Sequence, residues 1–466
     1  MTNDEHRDAA LRAASELALD YLHDLPDRHV GARADAATVA RALGGALPEH
    51  GEDPEAVVRF LAQAVDPGLV ASAGPRYFGF VVGGALPASV AADWLATAWD
   101  QNAVLHALSP AAAAAEQVSG EWMLELLGLP RDAGFGLPTG AGLGNAVGLA
   151  AARHAVLARE DWDVEARGLF GAPEISVVCG DEAHATIRTA LQYLGLGRDR
   201  VQRVATDEQG RMRTDSLDEQ MRAASGPTIV CVQAGNVDTG AFDPLEAAAE
   251  LVEKHPNAWL HVDGAFGLWA QVSPRLRHLT RGVERADSWA TDAHKWLNVG
   301  YDCGFVAVRD REAHQAAMSA SAAYLVRSDT ERENWEWVLD SSRRARGFAL
   351  YAVLRSLGRA GVQELVERCC DLARRMAEQL AAVPSMEVLN DVGLNQVLVR
   401  FQPATGGDAD AFTREVIGRV QADGTAWMGG TTWHGMAAMR ISVSSWSTSE
   451  ADVDATVEAI KRAASA

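Results

Sequence analysis

Lysine is almost absent from this chain. Among 42 basic residues in 466, only Lys254, Lys295 and Lys461 are lysines, and all the others are arginine. Arginine replaces lysine readily on a solvated surface, but a guanidinium stays charged and cannot act as an amine nucleophile. Each retained lysine therefore asks for a reason. Positive charge is short altogether: 63 acidic residues leave a formal net charge of −21. That balance excludes a nucleic-acid groove, which needs cations to displace the counterions of phosphates.

Cysteine is scarce too. The five, Cys179, Cys231, Cys303, Cys369 and Cys370, form no CxxC pair, are odd in number and mostly lie in apolar runs. Reduced, buried thiols in a cytoplasmic protein are expected, not a disulfide framework. No stretch of about 18 apolar residues lacks a charge or a breaker, so no membrane span is expected. Met1 to Asp24 mixes acids and bases through a helical apolar pattern and does not resemble a secretory signal.

What remains is a globular composition, 48% hydrophobic and 23% charged, long enough for two or three domains with ample core. Residues 5–23 and 54–65 read as amphipathic helices, and Ala73–Pro87 (AGPRYFGFVVGGALP) as an extended, Gly/Pro-punctuated segment. Residues 1–87 hold too little core to stand alone. From 88 to 350, short apolar runs (Ile175–Cys179, Thr228–Gln233, Trp259–Asp263, Gly304–Val308) alternate with helical patterns. This implies a mainly parallel sheet covered on both faces. After a helical stretch over Ala345–Ala382, strands at Met386–Asn390, Gln396–Phe401 and Met439–Val443, with helices near 409–422 and 449–463, make residues 351–466 a smaller α+β domain.

Polar and ionisable residues concentrate in four segments at strand ends: GDEAH (180–184), QAGNVDTGAF (233–242), HVDGA (261–265) and DAHKW (292–296). Ligands of parallel α/β sheets sit beyond the carboxyl ends of strands. Asp263 ends an apolar strand ahead of Gly264 and Ala265; it reads as a turn aspartate or as a carboxylate placed to pair with a protonated ring nitrogen. Lys295 is embedded in the aromatic run SWATDAHKWLNV, and a partly desolvated lysine forms Schiff bases with carbonyls. Gly136–Gly148 (GLPTGAGLGNAVG) precedes a helix reaching about Leu157, and amides at such a helix start bind phosphate. A dinucleotide fingerprint is not met, since Asn145 stands where a third glycine is needed and no convincing strand precedes the glycines. His261/Asp263 and Asp292/His294 lack the spacing of a helical metal pair, and no metal is expected. His184 opens a helix over 183–194, as a cap or as a flat ring that stacks on an aromatic cofactor.

A phosphate cradle, a stacking histidine, a ring-nitrogen carboxylate and a Schiff-base lysine, in that order, resemble the group II pyridoxal-phosphate decarboxylases, the family of aromatic-L-amino-acid, glutamate and histidine decarboxylases. The resemblance runs from about residue 54 to the end, and DAHKW and HVDGA with GDEAH and NVDTGAFDP carry it. It implies a fold-type I, aminotransferase-like α/β enzyme that binds pyridoxal 5'-phosphate and works as a homodimer with shared active sites. By the same resemblance Lys295 carries the cofactor, Asp263 pairs with its ring nitrogen, Ala265 packs on the ring and His184 stacks on the opposite face. Gly140, Ala141 and Gly142 would hold the phosphate with Asn236, His294 and Asp292. Phe80, Val81 and Val82 would line the partner's substrate pocket.

The chain departs from that pattern at two places. The stretch Val326–Ser342 contains no tyrosine, where the best-known members carry one that donates a proton to the product carbon. Asn334 falls near that position, and Tyr324, just before the stretch, is a candidate substitute. The phosphate loop also lacks a hydroxyl residue near Gly142, while Thr139 sits earlier. The expected activity is decarboxylation of an L-amino acid to its amine, with an aromatic or apolar side chain favoured by residues 80–82. A decarboxylation-dependent oxidative deaminase, another lyase or aminotransferase of this fold, and a non-catalytic scaffold are the competing readings. Trp427, Trp433 and His434 of AWMGGTTWHG are further residues that the small domain could bring to the cofactor.

Overall fold

The computed structural model describes residues 3–319, 332–404 and 406–465. Seven strands build the central sheet: β1 (Gly134–Gly136), β2 (Ser176–Gly180), β3 (Gln202–Val204), β4 (Thr228–Gln233), β5 (Ala258–Asp263), β6 (Ser288–Asp292) and β7 (Gly304–Val308). Their spatial order is β1-β7-β6-β5-β4-β2-β3. From β3 to β6 every neighbouring pair is parallel, whereas β7 runs antiparallel to both β6 and β1. The expected mainly parallel sheet is present, closed on one side by an antiparallel edge.

Both faces are covered, and the side-chain alternation shows it. Ile229 and Cys231 of β4 pack into the core shared with the helices Ala141–Ala158 and Ala185–Tyr193. Val230 and Val232, pointing the other way, join the larger core on the opposite face. A strand buried on both faces needs an uninterrupted apolar run, which is why β4, β5 and β7 were legible. β1 and β3 were not, at three residues each, and β6 (SWATD) is too polar to declare itself. A strand does precede the glycine-rich helix start, contrary to the sequence expectation. It is the antiparallel edge strand β1, so no dinucleotide-type βαβ unit arises.

The C-terminal part carries a second sheet of β8 (Met386–Val388), β9 (Gln396–Phe401), β10 (Gly429–Trp433) and β11 (Met436–Ser442), antiparallel throughout in the order β10-β11-β9-β8. Helices Ala409–Asp423 and Glu450–Ser465 accompany it. A long helix, Gly347–Ala381, leads into it and breaks at Gly358 (φ 60°, ψ 179°). At the other end, helices Ala36–Leu43 and Pro54–Val65 contain no buried residue. No helix among the described residues is long and apolar enough to cross a membrane.

One buried side chain stitches three distant segments together beside the Lys295 turn. Asn298, itself left-handed at φ 57°, accepts N–H bonds from Gly84 (2.8 Å) and Trp446 (2.9 Å) on Oδ1. Its Nδ2 donates to Ser444 O (2.9 Å) and Trp296 O (2.8 Å). The extended N-terminal segment is thereby pressed onto the lysine turn. A Cβ on Gly83 would lie 1.9 Å from the Lys295 carbonyl oxygen, so only glycine fits. Gly83→Ala is expected to destabilise the fold by about 1–3 kcal/mol, the cost of overpacking a tight contact. Denaturant unfolding measures it, and an unchanged midpoint would show that this contact is not held.

Candidate active site

The carboxyl ends of β2, β4, β5 and β6 lie side by side, and each delivers one of the polar segments. Ala141, Gly142, His184, Thr186, Gln233, Gly235, Val237, Asp263, Ala265, Phe266, Asp292 and Lys295 line one small, partly open cleft. Residues from four segments thus meet at one place, as the strand-end rule predicts.

Lys295 stands in the turn after β6, where the amides of Ala293 and His294 both donate to Cys303 O at 3.0 Å. Its Nζ lies 2.9 Å from Asp292 Oδ2. The other oxygen of Asp292 accepts the amide of Ala141 at 2.6 Å. Asp292 therefore ties the lysine to the start of the Ala141–Ala158 helix, whose positive end favours a carboxylate. His294 accepts the Cys303 amide on Nδ1 (3.1 Å), which puts its proton on Nε2, 3.4 Å from Asp292 Oδ1. Burial holds His294 below its ordinary pKa, against the pull of Asp292.

Asp263 is 4% exposed at the end of β5. Burial raises its pKa; His184, Lys295, the Ala265 amide (3.2 Å) and Asn145 Nδ2 (3.1 Å) oppose that shift. His184 caps the helix Ala185–Tyr193: its Nδ1 meets the Thr186 amide at 3.3 Å and Thr186 Oγ1 at 2.8 Å. Its imidazole faces the open cleft, and crowding by the surrounding protein lowers its pKa.

The donor set suits a phosphorylated aromatic cofactor. The helix N-terminus presents the amides of Gly142 and Leu143 with no protein acceptor among the described residues, beside His294 Nε2. At Gly140 a Cβ would fall 3.0 Å from His294 Cε1 and 3.2 Å from Asp292 Oδ1, so glycine keeps this corner open. An amine, a buried carboxylate and an anion cradle then surround one space.

Other expected residues sit differently. Asn236 turns its Oδ1 back to the amides of Asp238 (2.9 Å) and Thr239 (3.2 Å), organising its own loop, while its neighbours Gly235 and Val237 line the cleft. Val81 is buried and Phe80 exposed, both at positive φ, behind the lysine turn rather than on the cleft wall of this subunit. Trp427 stacks on Tyr77 (5.1 Å) and meets the Phe80 ring at a tilt (5.5 Å). Trp433 and His434 stack on each other at the β10–β11 turn. Tyr324 lies outside the described residues, and Asn334 is buried, its Nδ2 donating to Ala103 O.

Sequence reasoning missed four residues. Asn145 stands out in the sequence only as an absent glycine. Thr186 follows His184 by two residues, a capping spacing that could have been read. Arg440, on β11, lies 3.5 Å from Asp238, and its charge bears on His184. Tyr301, itself largely exposed, sets its ring against His294 at 4.4 Å; crowding by the surrounding protein and the Asp292 charge raise its pKa, so the phenol keeps its proton.

Residues 38–402 match the pyridoxal-dependent decarboxylase conserved domain. The chain belongs to this family. It is 28% identical to tryptophan decarboxylase 1 of Oryza sativa subsp. japonica over 97% of this chain and 92% of that protein. It is 29% identical to acidic amino acid decarboxylase GADL1 of Xenopus tropicalis (74% and 68% covered). It is 25% identical to 4-hydroxyphenylacetaldehyde synthase of Rhodiola rosea (95% and 93% covered). The crystal structure of Oryza sativa TDC with PLP and tryptamine superposes with a TM-score of 0.92, covering 100% of this chain and 98% of that one at 25% identity. The protein is thus a pyridoxal-phosphate-dependent amino-acid decarboxylase, a carboxy-lyase of fold type I.

In this decarboxylase Asp292 joins the helix start to Lys295 within the cleft. Asp292→Ala removes a charge-assisted cap and an ion pair together, and is expected to cost about 1–3 kcal/mol in the cofactor-free protein. Thermal unfolding with and without cofactor reads this, and a loss seen only in the loaded protein would refute the structural link.

Proposed function

We propose that the protein converts an L-amino acid with an aromatic or apolar side chain to its amine and CO2, with Lys295 Nζ as the amine that bonds to the cofactor's carbonyl carbon. The carrying observation is the single cleft in which Lys295, Asp263 and His184 converge. When bound, pyridoxal phosphate supplies a cationic ring that takes up the electron pair left as the carboxylate departs. Asp263 would hold the proton on the ring nitrogen, and Ala265 and His184 would contact the ring. The free amides of Gly142 and Leu143 would receive the phosphate with His294 in the corner that Gly140 keeps open, while the Ala141 amide stays on Asp292 and Asn236 holds its own loop. Arg440, whose charge bears on His184, is assigned to orient the substrate carboxylate.

The side-chain preference rests on the apolar segment Phe80–Val82 and the aromatic cluster of Tyr77, Trp427 and Phe80. That segment belongs, in this reading, to the partner's pocket in a homodimer: residues 1–87 wrap the second subunit, 88–350 bind the cofactor and 351–466 form the small domain. Exposed Leu11, Leu19, Phe60, Leu61 and Trp94 supply an apolar face for such wrapping. Sedimentation of the purified protein as a monomer at assay concentration would remove this part.

A second reading has its own observation. Val326–Ser342 lacks a tyrosine, and one relative is an aldehyde synthase. In that case the amino acid, O2 and water give the aldehyde, CO2, ammonia and hydrogen peroxide. Turnover under air and under argon, with amine, aldehyde and peroxide quantified, separates the two. Amine equal to CO2 in both atmospheres is expected, and aldehyde with peroxide only under air would overturn it. Lys295→Arg is expected to abolish turnover and the absorbance of lysine-bound cofactor while leaving the unfolding midpoint of the cofactor-free protein within about 1 kcal/mol of wild type.

A further inference from the structure

Asn145 sits on the first turns of the Ala141–Ala158 helix, fully buried, where it contacts Asp263 directly and reaches His184 through Thr186. Its Nδ2 lies 3.1 Å from Asp263 Oδ2 and 3.4 Å from Thr186 Oγ1; its Oδ1 lies 3.0 Å from His261 Nε2. Behind it, His261 Nδ1 meets Ser288 Oγ at 2.8 Å, and Ser288 Oγ accepts the Trp259 indole N–H at 2.9 Å. Ahead of it, Thr186 Oγ1 meets His184 Nδ1 at 2.8 Å. Trp259, Ser288, His261, Asn145, Thr186 and His184 thus form one unbroken path from the buried sheet core to the exposed His184 at the cleft, with Asp263 branching from Asn145.

With Asp263 ionised, the direction of every bond in that path is fixed. An indole N–H can only donate, and an ionised carboxylate can only accept. Asp263 therefore takes a hydrogen from Asn145 Nδ2, which turns Asn145 Oδ1 toward His261 and requires the His261 proton on Nε2. His261 Nδ1 is then bare and takes the Ser288 hydroxyl hydrogen, whose oxygen takes the Trp259 N–H. The second Nδ2 hydrogen goes to Thr186 Oγ1, and the Thr186 hydroxyl hydrogen goes to His184 Nδ1. Every donor finds an acceptor. Burial holds the His261 pKa down at about 3, so the chain does not gain a proton near neutral pH.

We propose that Asn145 and Thr186 are positioning residues that fix His184 as the tautomer with its proton on Nε2 and hold Asp263 as an acceptor, coupling the two groups on which cofactor chemistry depends. This deepens the decarboxylase reading of the same cleft. The groups whose charge reaches His184 are Asp263, Lys295, Arg440 and Asp238; none of them donates to Nδ1, so Thr186 has no substitute there apart from its own amide.

The test is a matched pair on the enzyme loaded with cofactor. Thr186→Val keeps the shape and removes the hydroxyl, which donates to Nδ1 of neutral His184 and accepts from Nδ1–H of the imidazolium, so the balance between the two forms changes. The acidic limb of the kcat–pH profile should shift by about half a pH unit to one, the equivalent of one hydrogen bond. Thr186→Ser should restore the wild-type profile. Asn145→Asp turns a donor toward Asp263 into a second carboxylate, and the cofactor Kd, titrated by fluorescence onto cofactor-free protein, should rise at least tenfold. An unmoved limb in Thr186→Val, a Ser variant that behaves like Val, or an unchanged Kd in Asn145→Asp would each overturn the proposal. Should Asn145→Asp fail to fold, the Thr186 pair decides alone. Because the Kd is read without substrate, failure here is distinguishable from a wrong choice of amino acid.

Discussion

Burial of the Asp263 carboxylate is the constraint from which the rest of the site follows. A charge removed from water is costly unless its lone pairs are met, and at 4% exposure Asp263 has almost no solvent to meet them. The donors come from its own turn, through the Ala265 amide, and from Asn145 on a different element. The helix bearing Asn145 must therefore lie close on the sheet. Its stripe of small residues allows that approach: a Cβ on Gly148 would lie 2.8 Å from His261 Cε1, and one on Gly144 3.2 Å from Ala290 Cβ. Once the helix is seated, its N-terminus points its free amides into the cleft. One docking event sets both the carboxylate at one end of the site and the anion cradle at the other.

The opposite wall is set by Asn298. Its amide replaces a ladder of backbone bonds where three loops meet, and an Asn in the left-handed region is suited to that because its side chain satisfies polar groups locally. The lysine turn, the N-terminal segment and the loop after β11 therefore move together or not at all. A rearrangement of the Phe80–Val82 segment, which a homodimer would place at the partner's cleft, would be felt at Lys295 through Gly83. The N-terminal segment and the Lys295 turn share a mechanical support.

Much of this was legible because buried parallel strands write themselves as apolar runs and their functional residues follow at the carboxyl ends. Thr228–Gln233 and Gly304–Val308 appear as read, and GDEAH, HVDGA and DAHKW end at one cleft. The short edge strands carried too few residues for a period. β6 was hidden because its residues serve the site as well as the sheet, so polarity masked the strand. Asn145 was invisible for a different reason: its meaning lies in partners 41 to 118 residues away, and no local pattern marks a residue whose role is to complete another's hydrogen bonds. Asn236 shows the converse, a residue in a telling motif whose side chain organises its own loop.

The scarcity of lysine gains a structural meaning from these contacts. Lys461 pairs with Glu458 at 2.9 Å on the surface of the C-terminal helix, a task for which a guanidinium serves equally. Lys295 is 22% exposed and faces an Asp292 that is already committed on its other oxygen to the Ala141 amide. A single point charge on a flexible stem fits beside that oxygen and can leave it when its nitrogen bonds elsewhere. A planar fork would engage the same carboxylate in two parallel bonds and stay there. What Asp292 requires of its partner is therefore a cation that can be given up, and among the basic side chains of this arginine-rich chain only a lysine amine can do so.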